Sequence, residues 1–295
     1  MYIFIANPIS GNMALAGLQD RLKKKLASKK ILDKWVQSNS PNEIGPLVKQ
    51  AITDGYTTII AVGGDDTLNE VINHAVGNDN LAIGVIPIGT NNRLATRLGI
   101  NNWQDACKIV AARRITNYSL LAAGQKYFLS SLEIGFETEL DKIIDASSSS
   151  TKATINRTFQ GINQAHKYQT IELDMVVDGK YSMSGNIFSL AITNLRYLNP
   201  EATNKLMIES CDHPGRLIQV NKYVFDILKN RQTTVSDREV DTRLYANHVT
   251  IKTNPTSSVM ADGKIIGRTP LAIRLTDQTI KIITDKRKNN FDTSS

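Results

Sequence analysis

The sequence predicts an α/β chain in two parts. A doubly wound parallel sheet with helices comes first, and a mainly antiparallel β-sandwich follows. Short β-branched runs alternate with amphipathic helical stripes up to about residue 115. Beyond that point extended runs are joined by tight-turn residues, as at Ala123-Gly124-Gln125 and Asp178-Gly179. Within the first of these textures, Thr57 to Leu98 reads as strand, glycine turn, helix and strand, the order of a βαβ unit.

Each element of the first half has its own signal. Tyr2 to Ala6 is a first strand, and Asn7-Pro8-Ile9-Ser10-Gly11-Asn12 is a polar turn after it. Leu15, Leu18, Leu22 and Leu26 mark a helix, Lys34 to Gln37 a short strand, and Ile44, Leu47, Val48, Ala51 and Ile52 a second helix. Thr57 to Val62 is a strand buried on both faces, followed at once by Gly63-Gly64. Leu68, Val71, Ile72, Ala75 and Val76 then form a helical stripe. Leu81 to Ile86 is the next strand, and short helices follow at Leu94 to Gly99 and Trp103 to Arg113.

The second half reads as hairpins. Ile115 to Leu121 pairs with Tyr127 to Ile134, and Ile171 to Val177 with Tyr181 to Thr193. Tyr245 to Thr253, Ser258 to Ile266, Leu271 to Leu275 and Thr279 to Thr284 continue the pattern. Helices are expected at Asn156 to Lys167 and Lys222 to Asn230, a loop at Ser147 to Ser150, and a polar tail from Lys286.

Composition narrows the class. No apolar run reaches the roughly 18 residues that span a bilayer. The first residues lack a basic segment and a cleavage site, so the expected place is the cytoplasm. Cys107 and Cys211 fit unpaired thiols, Cys107 on an apolar helix stripe. The four histidines show no metal-ligand spacing. The net charge of +7 is densest at Lys23-Lys24-Lys25 and Lys29-Lys30. That run is either a solvated helix face or a weak attraction to an anionic membrane surface at its inner side. No nucleic-acid motif accompanies it, and a homodimer is left open.

A ligand of a βαβ unit sits where the strand's carboxyl end meets the helix N-terminus. Gly63 and Gly64 remove side chains there, and a helix N-terminus offers amide donors and positive dipole charge, which suit phosphate. The plain alternative is a tight turn followed by a Thr67-x-x-Glu70 capping box. Ile88-Gly89-Thr90-Asn91-Asn92 follows the next strand and arrives beside the first loop.

The pair Gly63-Gly64-Asp65-Asp66-Thr67-Leu68-Asn69-Glu70-Val71 and Pro87-Ile88-Gly89-Thr90-Asn91-Asn92-Arg93 resembles the nucleotide loops of the diacylglycerol kinase and sphingosine kinase superfamily, GGDGTxNEV and PxGTxND. The resemblance implies an NAD-kinase-like α/β domain over residues 1–122. A β-sandwich lipid-substrate domain over 123–285 and a tail over 286–295 complete the plan. It implies ATP with Mg2+, and transfer of the γ-phosphate to the hydroxyl of diacylglycerol or a related lipid. Nucleotide contacts are implied at Asn7, Ser10, Gly11, Ser38, Gly63, Gly64, Asp65, Asp66, Thr67, Asn69, Glu70, Gly89 and Thr90, with Asp65 acting through magnesium. For Ser38 the alternative is a residue that begins a turn, and for Asp65 a helix cap. The family's second-half landmarks are Tyr127-Phe128-Leu129, Gly135-Phe136, Asn194, Pro200 with Ala202, and Asp262-Gly263-Lys264.

Three substitutions depart from that pattern. Asp66 stands in place of glycine, Arg93 in place of aspartate, and Lys264 in place of the glutamate that accepts the substrate's proton. A protonated lysine has no lone pair for that task. Asp262 is a candidate substitute base, and Lys264 is either a base of depressed pKa, a charge stabiliser or a surface cation. A family metal loop near Asp212-His213-Pro214-Gly215 is also altered by its proline. Three readings follow: an active lipid kinase, a nucleotide- or lipid-binding member without phosphotransfer, and an NAD kinase. Gly89-Thr90-Asn91-Asn92 leading into Leu94-Ala95-Thr96-Arg97-Leu98 follows the lipid-kinase pattern more closely than the last.

Overall fold

The computed structural model describes residues 1–7, 15–89, 92–136, 138–139, 160, 163–164, 167–198, 202–212 and 240–285. It divides into Met1–Leu120 with the chain from Thr276 onward, and Leu121–Leu275.

The first unit is built on parallel strands β1 (Tyr2–Ala6), β2 (Lys34–Gln37), β3 (Thr58–Gly63) and β4 (Ala82–Pro87), in the order β2-β1-β3-β4. Every residue of β3 and β4 is buried, as their unbroken apolar character requires of strands covered on both faces. Helices α1 (Leu15–Ser28), α2 (Ile44–Thr53), α3 (Asp65–Ala75), α4 (Arg93–Arg97) and α5 (Trp103–Ala112) join them. Their stripes face inward: Leu18, Leu22, Leu26, Val48, Leu68, Val71, Ile72, Cys107 and Val110 are buried. The α2–α3 crossing is close, because a Cβ on Gly45 would come within 2.6 Å of the His74 ring. Arg113 ends α5 in the left-handed region at φ 49°.

The second unit is a sandwich. β8 (Ile171–Val177), β9 (Tyr181–Ile187) and β13 (His248–Asn254) form one sheet with the start of β16 (Leu271–Ile283). The other sheet runs β12 (Thr242–Ala246), β11 (Leu206–Cys211), β10 (Ser189–Asn194), β7 (Ser131–Gly135), β14 (Ser258–Ala261), β15 (Lys264–Arg268). Leu132, Ile134, Leu173, Met175, Ile192, Ile208, Ile251 and Val259 lie among the core between the sheets.

Three boundaries differ from expectation for one reason: apolar runs continue while the chain changes sheet. Tyr127–Ile134 is split at Leu129-Ser130 into β6 (Lys126–Phe128), which pairs with β5 (Ile115–Ala123), and β7. Tyr181–Thr193 is split at Phe188, and Tyr245–Thr253 at Asn247. Conversely, Leu271–Ile283 is one strand of 13 residues. Its end, Lys281 and Ile282, pairs with β4, and the chain returns to the first unit at Thr276. The Asp178-Gly179 turn is as expected, with both residues at positive φ. The loop at 147–150, the helix at 222–230, the tail from 286 and most of the helix at 156–167 lie outside the described residues.

Candidate functional site

In the first unit, strand order and register place the expected loops together. β2 and β3 flank β1 on opposite sides, so the chain reverses its direction of winding between β1 and β3. Crevices at such a reversal are where open α/β sheets bind ligands. Ala6 is level with Gln37 on one side and Val62 on the other, while Gly63 is level with Pro87. The segments that follow, at Asn7, Ser38, Gly64 and Ile88-Gly89, therefore leave the sheet along one edge.

Gly64 and Gly89 meet there. A Cβ on Gly89 would lie 2.6 Å from the Gly64 backbone nitrogen, so no other residue fits without a backbone shift. The Ile88 amide donates to the Gly63 carbonyl at 3.1 Å, and Asn92 Nδ2 donates to the Gly89 carbonyl at 2.7 Å. Gly63 is small for a different reason, because a Cβ there would strike the Thr67 side chain. Thr67 is wholly buried and receives a hydrogen bond from Asn7 Nδ2 at 3.3 Å.

Helix α3 starts at Asp65 with Gly64 as N-cap, and no side chain caps it. The capping-box alternative is thus corrected, since Thr67 stands inside the first turn and Glu70 pairs with His74 instead, at 3.8 Å. A glycine-capped helix start beside a second glycine loop is a cradle that a phosphate fits. Asn92 adds a buried Oδ1 that lacks a partner among the described residues.

Asp65 is buried and clamps the neighbouring loop. Its Oδ2 accepts from the Arg93 amide at 2.8 Å and its Oδ1 from the Leu94 amide at 3.0 Å, at the start of α4. The helix-cap alternative is therefore real, but the helix it caps is α4, not its own. These bonds use two of the roughly four lone-pair sites of a carboxylate. Asp66 is exposed in the first turn of α3, and Asn69 is buried on it. Among the described residues no group of three or more His, Cys, Asp or Glu could hold a metal. The residues fit a nucleotide's phosphates, and offer magnesium no cage of their own.

Ser38 is wholly buried, with its hydroxyl donated to the Ala6 carbonyl at 3.3 Å. It straps β2 to β1, a role other than the expected start of a turn. Ser10, Gly11, Thr90 and Asn91 lie outside the described residues.

In the second unit the C-terminal landmarks converge on Leu129-Ser130-Ser131, where the chain crosses from β6 to β7. Asp262 accepts four hydrogen bonds: from the Leu129 amide at 2.6 Å, the Ser130 amide and hydroxyl at 2.8 Å each, and the Ser131 amide at 3.1 Å. Asn194 completes the knot, its Nδ2 donating to the Leu129 carbonyl and its amide to that of Ser130. Burial pushes the Asp262 carboxyl above its usual range, offset in part by the Leu129, Ser130 and Ser131 donors. Asp262 and Gly263 both have positive φ, the tight turn that Asp-Gly favours between β14 and β15. Lys264 opens β15 opposite Ala261 and is half-buried. Asp212 is exposed, its amide donating to Asp241, and His213 to Gly215 lie outside the described residues.

Sequence reasoning missed Ser130, Ser131 and the Arg93 and Leu94 amides. Backbone donors leave no signature in residue types. Ser130-Ser131 was hidden inside an apparent single strand.

Comparison with known proteins agrees with this geometry. Residues 1–123 match the diacylglycerol kinase catalytic domain. A Staphylococcus epidermidis protein provisionally named a lipid kinase is 25% identical over 271 residues, covering 86% of each chain. The diacylglycerol kinase of Bacillus subtilis is 30% identical over 151 residues, covering 49% of this chain and 48% of that one. A diacylglycerol kinase crystal structure from Bacillus anthracis superposes with a TM-score of 0.70 at 18% identity, covering 97% of both chains. At that identity the superposition speaks for the fold alone. Residues 1–123 thus match a diacylglycerol kinase catalytic domain, and over most of its length the chain is similar to proteins provisionally named lipid kinases.

Proposed function

We infer that the protein binds ATP with magnesium at the Gly64–Gly89 cradle and transfers the γ-phosphoryl group to a lipid hydroxyl, that of diacylglycerol or a related amphiphile. The observation that carries this is the meeting of the two glycine loops at the sheet's reversal point. The amides at the start of α3 and around Gly89 would hold the phosphates. Magnesium, when bound, supplies charge neutralisation at the transferring phosphoryl. Asp65 would serve it through water, because its carboxylate already organises the Arg93 and Leu94 amides. Phosphoryl transfer passes through a loose transition state, so positioning outweighs base strength.

Asp262 is assigned here as the anchor of a turn rather than as the proton acceptor. Four donors converge on it, filling about the four lone-pair sites of a carboxylate. Its task is to fix the hairpin that presents Lys264. The same observation favours the second reading, a family member that binds nucleotide and lipid without phosphotransfer. With lysine at the base position and Asp262 engaged, the loss of a general base costs about 10²–10⁴ in rate.

The lipid acceptor would be met at the inner membrane face. Lys24, Lys25 and Lys30 are exposed on and after α1, and each basic residue near an anionic surface contributes about 1 kcal/mol. Among the described residues no helix is long and apolar enough to cross a membrane.

Incubation with γ-labelled ATP, magnesium and mixed-lipid vesicles tests the reading. Label in a lipid product supports the kinase. Nucleotide binding without label in any lipid replaces it with the binding protein.

A further inference from the structure

One face of the sheet that contains β7, β10, β11 and β12 carries an ionic row that is one donor short. Ladder register sets Glu133 of β7, Ala191 of β10, Glu209 of β11 and Arg243 of β12 side by side. Leu132, Ile134, Leu190, Ile192 and Ile208 belong to the core between the sheets, so strand alternation turns this row to the opposite face. Glu209 is only 4% exposed. Arg243 holds its Oε1 alone, with Nε and Nη2 both at 2.7 Å, where a side-by-side pairing would have used both oxygens. Glu209 Oε2 is buried and has no donor among the described residues. Between the two carboxylates stands only the short side chain of Ala191, and their strands are two ladder spacings, about 10 Å, apart. The Ser131 hydroxyl gives Glu133 a long hydrogen bond, 3.4 Å. Glu133 is partly exposed and Arg243 exposed, so the row opens to solvent on either side of the buried oxygen.

We propose that Glu209 and Glu133 form a binding site for a primary ammonium group seated over Ala191, carried either by a lipid headgroup or by a free amine. Charge selects the ligand. Two carboxylates against one guanidinium leave the row negative, and a buried charge without a full set of partners is costly. An ammonium is compact and has three donors, so it reaches Glu209 Oε2 and the Glu133 carboxylate and keeps a donor for water. A hard divalent cation suits the site less, because it takes about six to eight oxygens. Among the described residues no third acidic side chain joins this pair to hold a metal. A neutral hydroxyl brings a single donor and leaves the charge uncompensated. The net charge of +7 repels amines from the surface at large, so an amine that binds is held by a local site. The proposal does not depend on the kinase reading.

Calorimetric titration of the full chain at neutral pH is the test. The probes are butylamine, dodecylamine in micelles of an uncharged detergent, and dodecanol in the same micelles. The wild type is expected to bind at least one amine saturably, and dodecanol about tenfold or more weakly, the usual worth of a hydrogen bond to a charged group. Binding of butylamine marks a free amine as the source, and binding of dodecylamine alone marks an amphiphile's headgroup. Glu209→Gln and Glu133→Gln should each weaken the amine by about that same factor. Glu133 bonds to Ser131 rather than to Arg243, so its variant should melt as the wild type does and carries the test if Glu209→Gln fails to fold. A wild type that binds neither amine overturns the proposal and leaves Glu209 as the anchor of Arg243. Amine affinity unchanged by Glu133→Gln, or dodecanol bound as tightly as dodecylamine, overturns it as well.

Discussion

Gly89 approaches the Gly64 nitrogen so closely that a single added carbon would stand 2.6 Å from it. The two residues are far apart in sequence and close successive strands of one parallel sheet. Their contact turns two ordinary βα turns into one cradle, and most of the functional account descends from it.

Gly89→Ala follows directly. The new Cβ meets backbone, which cannot rotate aside as a side chain can. The loops must part, at an expected cost of about 1–3 kcal/mol in stability, the usual penalty for overpacking. Nucleotide affinity should fall more than the melt does, since the donors move relative to one another. A melt and a nucleotide titration on the same sample check both.

Asp65→Asn removes one of the two acceptors held by the Arg93 and Leu94 amides and sets an NH2 against an N–H donor. A buried donor left unsatisfied costs about 1–3 kcal/mol. Hydrogen exchange should speed up at Arg93 and Leu94 before it does elsewhere. Unchanged protection at both amides would show that the clamp does not hold α4.

Asp262→Asn and Lys264→Glu separate anchor from chemistry. Asparagine at 262 keeps one acceptor for the Ser130 and Ser131 donors but sets an NH2 against the Leu129 amide, so a lower melting temperature is expected. Phosphotransfer per folded molecule should persist if Asp262 is an anchor, and vanish if it is the base. Lys264→Glu restores the family's proton acceptor, and label incorporation into lipid should rise. A fall instead would mean that the lysine has taken over a role in the reaction.

Burial pushes the Cys107 thiol up to about 11, and Lys25 and Lys29 only partly oppose it. A raised thiol pKa favours the protonated form in the folded state. The stability it contributes is complete below the unfolded value and is lost as pH rises from that value through about 11. At mildly alkaline pH a thiol reagent should modify at most Cys211 in the native protein and both cysteines once it unfolds. Rapid labelling of native Cys107 would contradict its wholly buried position.

The first unit was legible because its signals are local. Runs such as Thr57 to Val62 and the stripe at Leu68, Val71, Ile72 and Ala75 each fix an element by period, and the glycine motifs mark the turns between them. The sandwich was less so. At Phe188 and Asn247 the chain changes sheet without a break in its apolar pattern, and the return of Leu271–Ile283 to the first sheet depends on pairing with β4, a partner remote in sequence. The same limit applies to the site. Glycines and carboxylates could be read as candidates, but which amides Asp65 and Asp262 would hold is set by tertiary contact, and amides are common to every residue but proline.

The most direct test of the central claim is a calorimetric titration of ATP with magnesium into the wild-type protein and into Gly89→Ala. The cradle predicts saturable binding by the wild type, with a dissociation constant in the range of about 1 μM to 1 mM typical of enzyme substrates, and a marked loss in the variant. No binding by a wild type that melts cooperatively, or equal binding by both proteins, would contradict it.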